Sequence, residues 1–118
     1  VALARALVRH PDIVLFDEPT TGLDPIIVNS IHDLIDRMHK ELSFSAIIVS
    51  HEIPGVFEIV DRVAMLYEGR IRFVGTPDEV MVSDDPVVKK FIQESLPPER
   101  FREVICQRLM PPQVEGLP

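Results

Sequence analysis

Two adjacent carboxylates, Asp17 and Glu18, directly follow a run of four apolar residues, Ile13 to Phe16. Such a run is typical of a strand buried on both faces of a parallel sheet, and these sheets bind ligands where their strands end. Two like charges at the edge of an apolar core repel each other, so we expect a cation to offset them. Mg²⁺ suits this place because it takes oxygen ligands and needs only one or two protein carboxylates. For the acid pair alone, a strand followed by an acidic turn is the simpler interpretation.

A histidine, His51, follows residues 46–50, a largely β-branched run bounded by polar residues that indicates another buried strand. Between the two runs, apolar residues recur at helical spacing and predict a helix of about 18 residues: Ile27, Ile31, Leu34, Ile35, Met38 and Leu42. Two strands joined by a crossover helix usually lie parallel, so their carboxyl ends meet at the same edge of the sheet. We therefore expect His51 to lie close to Glu18.

The run IVLFDEPTTGLD at residues 13–24 resembles the Walker B motif and D-loop of ATP-binding-cassette ATPases. The run IVSHE at residues 48–52 resembles the switch-histidine region of the same family, and the similarity continues to about residue 82. It implies an α/β fold: the C-terminal part of a RecA-like P-loop NTPase core, with a mostly parallel sheet, a terminal β-hairpin and flanking helices. Residues 83–118 are expected to form a helical and proline-rich C-terminal extension.

The resemblance also implies roles for individual residues in the binding and hydrolysis of ATP. Glu18 is expected to act as the general base or as its partner, and His51 to contact the γ-phosphate and help hold the attacking water. Asp17 is expected to hold Mg²⁺ through its water shell. Gly22 and Asp24 lie in the D-loop, which is expected to cross the nucleotide and touch the opposite subunit, although Asp24 before a proline also suits a helix cap.

The phosphate loop Gly-x-x-x-x-Gly-Lys-Ser/Thr does not occur in these 118 residues, and neither does a Leu-Ser-Gly-Gly signature. A chain without these motifs cannot enclose a triphosphate by itself. We therefore expect the sequence to be the C-terminal part of a longer ATPase, and to be inactive alone.

The composition is that of an ordinary globular domain, with 46% apolar and 26% charged residues. The formal net charge of −7 argues against a nucleic-acid partner, because phosphate binding needs clustered Lys and Arg. The apolar runs are far shorter than the roughly 18 residues that suggest a membrane span. A lone Cys106 excludes an intrachain disulfide, and the apolar residues before it predict a packed position.

Within the family, the runs HEIP at 51–54, FEIVDR at 57–62 and DPVV at 85–88 resemble the Mla-type transporters of phospholipid associated with organic-solvent resistance. This implies an ATPase on the cytoplasmic face of the inner membrane, with three kinds of partner: a second copy of itself, a membrane permease and a lipid-binding subunit. Two alternatives stay open, a soluble ATPase of the same family acting on ribosomes or DNA, and a non-catalytic interaction module.

The remaining elements are predicted from apolar spacing and turn residues. A short amphipathic helix after His51, a hairpin turning at Glu68-Gly69, and helices opening at Thr76-Pro77 and Asp85-Pro86 are expected in that order. A further apolar helical face is expected at Phe101, Val104, Ile105 and Leu109. The other three histidines are expected at the surface or in caps: His10, His32 and His39.

Overall fold

The computed structural model describes residues 2–96 together with 99, 102–103 and 106. The chain divides into two compact units, residues 1–59 and 60–118. The first unit contains α1 (Ala2–Leu7), β1 (Ile13–Asp17), α2 (Pro25–Leu42), β2 (Ser45–Val49) and a 3₁₀ turn at Gly55–Glu58. The second unit contains β3 (Val63–Tyr67), β4 (Arg70–Gly75), α3 (Pro77–Met81) and α4 (Pro86–Ser95). The predicted α/β class is confirmed, and the predicted domain boundary at residue 82 stays a prediction.

The first unit is built on one parallel strand pair. β1 and β2 run in register from Ile13 opposite Ser45 to Asp17 opposite Val49, and α2 connects them. Because the strands are parallel, both carboxyl ends lie at one edge of the sheet, where β1 leads into Glu18 and β2 leads toward His51.

α2 begins at Pro25, which has no N–H to leave unsatisfied and suits the first helical position. Asp24 occupies the N-cap with an extended backbone, and its carbonyl accepts a hydrogen bond from the Val28 amide at 2.9 Å. Its side chain makes no capping bond, so the predicted carboxylate cap is absent. The helix ends at Leu42, and its C-cap Ser43 adopts a left-handed conformation and donates its amide to the His39 carbonyl. The His39 ring, as predicted for a capping residue, lies 2.6 Å from the Phe44 carbonyl oxygen.

The buried side of α2 agrees with the predicted face in the middle of the helix, where Ile35 is buried and Ile31 and Met38 pack partly buried against the core, and differs from it at both ends. Val28, His32 and Ile35 are buried, whereas Ile27 and Leu42 are exposed. Adjacent apolar residues such as Ile27 and Val28 satisfy two neighbouring stripes of one helix, and only packing against the sheet selects between them. The prediction that His32 lies at the surface is wrong, since the side chain is only 3% exposed.

The core of the first unit lies on one face of the strand pair. Its buried members come from α1, β1, α2 and the residue just before β2: Leu7, Val14, Phe16, Ile35 and Phe44. The opposite face is open in the described chain: Ile13, Leu15, Ile47 and Val49 are between 54% and 72% exposed. Burial of the strand on both faces, expected for a complete domain, is not seen among the described residues, because α1 and α2 cover only one side of β1.

The predicted amphipathic helix after His51 is a single 3₁₀ turn. Pro54 precedes it, and its hydrogen bonds join residues three apart, from the Phe57 amide to the Pro54 carbonyl and from the Ile59 amide to Val56. Val56 and Phe57 are buried, so the turn still anchors the segment by its apolar residues.

The second unit opens with the predicted hairpin. Glu68 and Gly69 form the turn with φ of 49° and 74°, the left-handed pair that a two-residue connection requires. α3 and α4 begin at Pro77 and Pro86, and their caps Thr76 and Asp85 accept the amides of Glu79 and Val87.

An ion pair from Arg72 of β4 to Asp85, with 2.8 Å between Nε and Oδ2, joins the hairpin to the start of α4. Cys106 is exposed, which contradicts its predicted packed position. The further helical face was expected at four residues that lie outside the described part of the chain: Phe101, Val104, Ile105 and Leu109.

Candidate active site

The candidate site lies where β1 and β2 end. The Glu18 amide donates to the Val49 carbonyl at 2.7 Å, so the strand pairing extends one residue beyond β1. Two residues past β2, the His51 ring reaches Glu18, with Nδ1 at 3.1 Å from both carboxylate oxygens. The predicted proximity of these two residues, 33 positions apart in sequence, is therefore observed.

The turn after Glu18 orients its carboxylate. Glu18 has φ of 46°, a left-handed conformation that costs free energy for any residue with a side chain. The Thr21 hydroxyl donates to Glu18 Oε2 at 2.9 Å, and the Thr21 amide lies 3.4 Å from the Glu18 carbonyl. Gly22 then takes φ of 79°. A side chain held by a neighbouring hydroxyl on a strained backbone indicates a constrained position, which is common at functional sites.

The contact of Thr21 with the Glu18 carboxylate was not predicted from the sequence. A threonine three residues after a carboxylate, in a turn, is a known pattern of local side-chain hydrogen bonding and was the available signal.

The Glu18–His51 pair shifts the protonation of both groups. The hydrogen bond to His51, and then that to Thr21, hold the pKa of the Glu18 carboxyl below its ordinary value. The same bond to Glu18 and the charge of Glu18 raise the pKa of the His51 ring. Glu18 is thus a carboxylate at neutral pH, and His51 must place a hydrogen on Nδ1 to donate to it.

Asp17 is the last residue of β1 and is exposed. In the described part of the chain its carboxylate forms no ion pair, and no group of three His, Cys, Asp or Glu side chains is arranged to hold a metal. One free carboxylate without a closed ligand cage fits Mg²⁺, which keeps several of its waters, and would not fit a structural zinc. The predicted role of Asp17 as the residue that would hold the ion stays a prediction.

Gly22 and Asp24 lie on the exposed loop between the site and α2. A Cβ added to Gly22 would meet no heavy atom within 4 Å, so only its positive φ favours glycine. The structure shows no hydrogen bond from the Asp24 side chain, which leaves its carboxylate free among the described residues. Their predicted role at the nucleotide stays a prediction.

The sequence was compared with protein-family models and with known proteins. No protein-family model matches the chain. It is 38% identical over 102 residues to the intermembrane phospholipid transport system ATP-binding protein MlaF of Haemophilus influenzae, covering 86% of this chain and 39% of that protein. It is also 38% identical over 97 residues to the methionine import ATP-binding protein MetN of Francisella tularensis, covering 81% and 28%.

Among solved structures, cbiO1 from Clostridium perfringens, described as part of the ABC transporter complex cbiONQ, superposes with a TM-score of 0.66. It shares 35% identity over 87% of this chain and 40% of its own. The chain thus spans at most about two fifths of the length of these relatives. No helix in the described ranges has the length and apolar character needed to cross a membrane.

These relatives differ in the substrates that their names give, so they do not single out the phospholipid-transporting subfamily. They agree on the ATP-binding subunit of a transporter, and the structural match gives the same fold. By sequence and by fold, the chain belongs to the family of ATP-binding-cassette transporter ATPases.

Proposed function

We propose that this chain supplies the hydrolytic part of an ATP-binding-cassette transporter ATPase, with Glu18 and His51 positioning the water that attacks the γ-phosphate of ATP. The observation that carries the proposal is the 3.1 Å contact between the two side chains at the carboxyl edge of the parallel strands. This edge is where open α/β sheets bind ligands.

The protonation states of the pair suit this work. Glu18, held as a carboxylate, accepts a hydrogen bond or a proton from water, while Thr21 and His51 fix its orientation. His51 donates from Nδ1 to Glu18, so Nε2 of the neutral ring is an acceptor and can take a hydrogen bond from the water. When His51 is protonated, Nε2 becomes a donor and stabilises negative charge on a phosphate oxygen.

Mg²⁺, when bound, neutralises the charge that develops on the phosphate oxygens. Asp17, one residue before Glu18, is the carboxylate that would hold this ion through its water shell. Gly22 allows the backbone to turn away from the site, and the loop with Asp24 is the part of this chain that would approach the opposite subunit.

These 118 residues contain no phosphate loop and no signature sequence. We therefore propose that the other contacts to ATP come from outside them, that a second copy of the ATPase completes the site, and that the 118 residues alone do not hydrolyse ATP.

For the transported substrate we propose phospholipid or another hydrophobic molecule, moved with a membrane permease and a lipid-binding subunit at the inner membrane. The support is the similarity of the runs after His51 to Mla-type proteins and the 38% identity with the phospholipid-transport relative. In the reconstituted transporter, phospholipid should then stimulate hydrolysis and methionine should not.

The test of the hydrolytic role is Glu18→Gln in the complete protein. The amide keeps the shape of the side chain but loses the carboxylate, so ATP binding should persist while turnover falls by about 10²- to 10⁴-fold. Glu41→Gln makes the same chemical change at an exposed position of α2 and should keep normal turnover. Turnover of Glu18→Gln close to that of Glu41→Gln would refute the role of Glu18.

A further inference from the structure

A buried histidine outside the site, His32, has no evident structural reason to be polar. Its side chain is 3% exposed, and neither ring nitrogen has a hydrogen-bond partner among the described residues. A buried polar group without a partner is costly, and an apolar residue of similar size would fill the same space. A histidine at this position therefore either lowers the stability of the fold without benefit or has a function.

The His32 ring lies against the segment that directly follows His51, residues 52–58. A Cβ added to Gly55 would lie 3.0 Å from His32 Nδ1 and 3.1 Å from Cε1, so the ring packs directly on the Gly55 backbone. Gly55 is the first residue of the 3₁₀ turn, and hydrogen bonds tie this turn back toward the site. The Val56 amide donates to the Glu52 carbonyl, and the Ile53 amide to the His51 carbonyl, both at 3.0 Å.

The charged groups that act on the His32 ring are carboxylates, as far as the described residues show. Asp33 comes from α2, and Glu52 and Glu58 come from the segment itself. Burial lowers the pKa of the His32 ring, and the three carboxylates oppose this shift only in part. The ring is therefore neutral at neutral pH, and below its pKa it becomes a cation in a place that provides no hydrogen-bond acceptor.

We propose that His32 is a positioning residue for His51: its neutral ring supports the segment 52–58, and its protonation displaces that segment and His51 with it. Asp33 is the next residue on α2 and does not face the ring, because adjacent helical residues point in different directions. A buried imidazolium must therefore either reach water or draw in Glu52 or Glu58, and both outcomes move the segment. The inference rests on the proposed function in taking His51 as the phosphate-contacting residue. It predicts that acid inhibits hydrolysis through a residue that never touches ATP.

The test compares the pH profiles of hydrolysis of the complete wild-type protein and its His32→Leu variant, each relative to its own rate at pH 8. One unit below the midpoint of His32, about one molecule in eleven keeps a neutral ring, so the wild type should lose about tenfold. The leucine variant cannot protonate and should not show this loss. His10→Asn removes an exposed imidazole at a left-handed position that asparagine tolerates, and it should keep the wild-type profile. An unchanged acid limb in His32→Leu would overturn the proposal.

A second measurement uses the wild type alone, in case the leucine variant does not fold. The His32 ring and the amides of Val56 and Phe57, followed by nuclear magnetic resonance, should titrate with one common midpoint below that of an ordinary histidine. Separate midpoints would overturn the proposal. This readout needs no hydrolysis, so failure of the proposed function, seen as normal turnover of Glu18→Gln, is distinguishable from failure of the role of His32.

Discussion

Replacing Gly22 by alanine tests the backbone geometry of the loop that leaves the site. Gly22 has φ of 79°, and an added Cβ would meet nothing within 4 Å. The substitution therefore creates no clash, and its cost is the left-handed backbone alone, about 1–2 kcal/mol. That free energy corresponds to a factor of roughly 5 to 30 in the population of the native turn.

Gly69 provides a matched control. It has φ of 74° and equally open space, but it lies in the hairpin turn of the second unit. Gly69→Ala should cost a similar free energy of unfolding, measured by urea denaturation, while only Gly22→Ala should also reduce ATP turnover of the complete protein. Gly22→Asn should recover most of the loss, because asparagine adopts left-handed geometry more readily than alanine.

Two results would refute this reasoning. A cost below about 0.5 kcal/mol for Gly22→Ala would mean that the positive φ is not required in solution. Equal losses of turnover in the two alanine variants would mean that the loop after Glu18 has no special connection to hydrolysis.

Two further predictions concern the Glu18–His51 pair and the exposed face of the strand pair β1–β2. The interaction that raises the pKa of His51 stabilises the folded state below about pH 6.5, and this stabilisation is lost as the pH rises through the folded pKa of His51. The interaction that lowers the pKa of Glu18 stabilises the folded state above about pH 4.3, and this stabilisation is lost as the pH falls through the folded pKa of Glu18. The stability difference between wild type and His51→Gln should therefore be largest near pH 5–6 and shrink toward pH 8, and a difference independent of pH would contradict the ion pair. Because one face of the strand pair exposes Leu15 and Ile47, the isolated 118 residues should self-associate in sedimentation experiments, and Leu15→Thr with Ile47→Thr should reduce this; a wild-type chain that stays monomeric at high concentration would contradict it.

Local sequence patterns predicted most of the elements. Pro25 marked the start of α2, Glu68-Gly69 the hairpin turn, and Thr76 and Asp85 the caps of α3 and α4. These features depend on φ restriction, positive φ and side-chain capping, each of which involves only a few neighbouring residues.

Patterns that depend on what packs on each surface were predicted less well. The buried stripe of α2 passes through His32, and the side chains of Ile13 and Leu15 on one face of β1 stay open. Apolar residues on both sides of a strand or helix show that burial is possible, but only the positions of α1 and α2 determine which side is covered.

The sequence by itself determined the chemistry at the site, because the types and order of Asp17, Glu18 and His51 set which groups can hold an ion, orient water or contact phosphate. The tertiary structure alone decided that Glu18 and His51 lie 3.1 Å apart and that Thr21 holds the same carboxylate. It also decided that His32, an ordinary helical residue by sequence, lies buried against Gly55. The physical reason is that distances between residues far apart in sequence follow from strand register and packing, which depend on the whole fold.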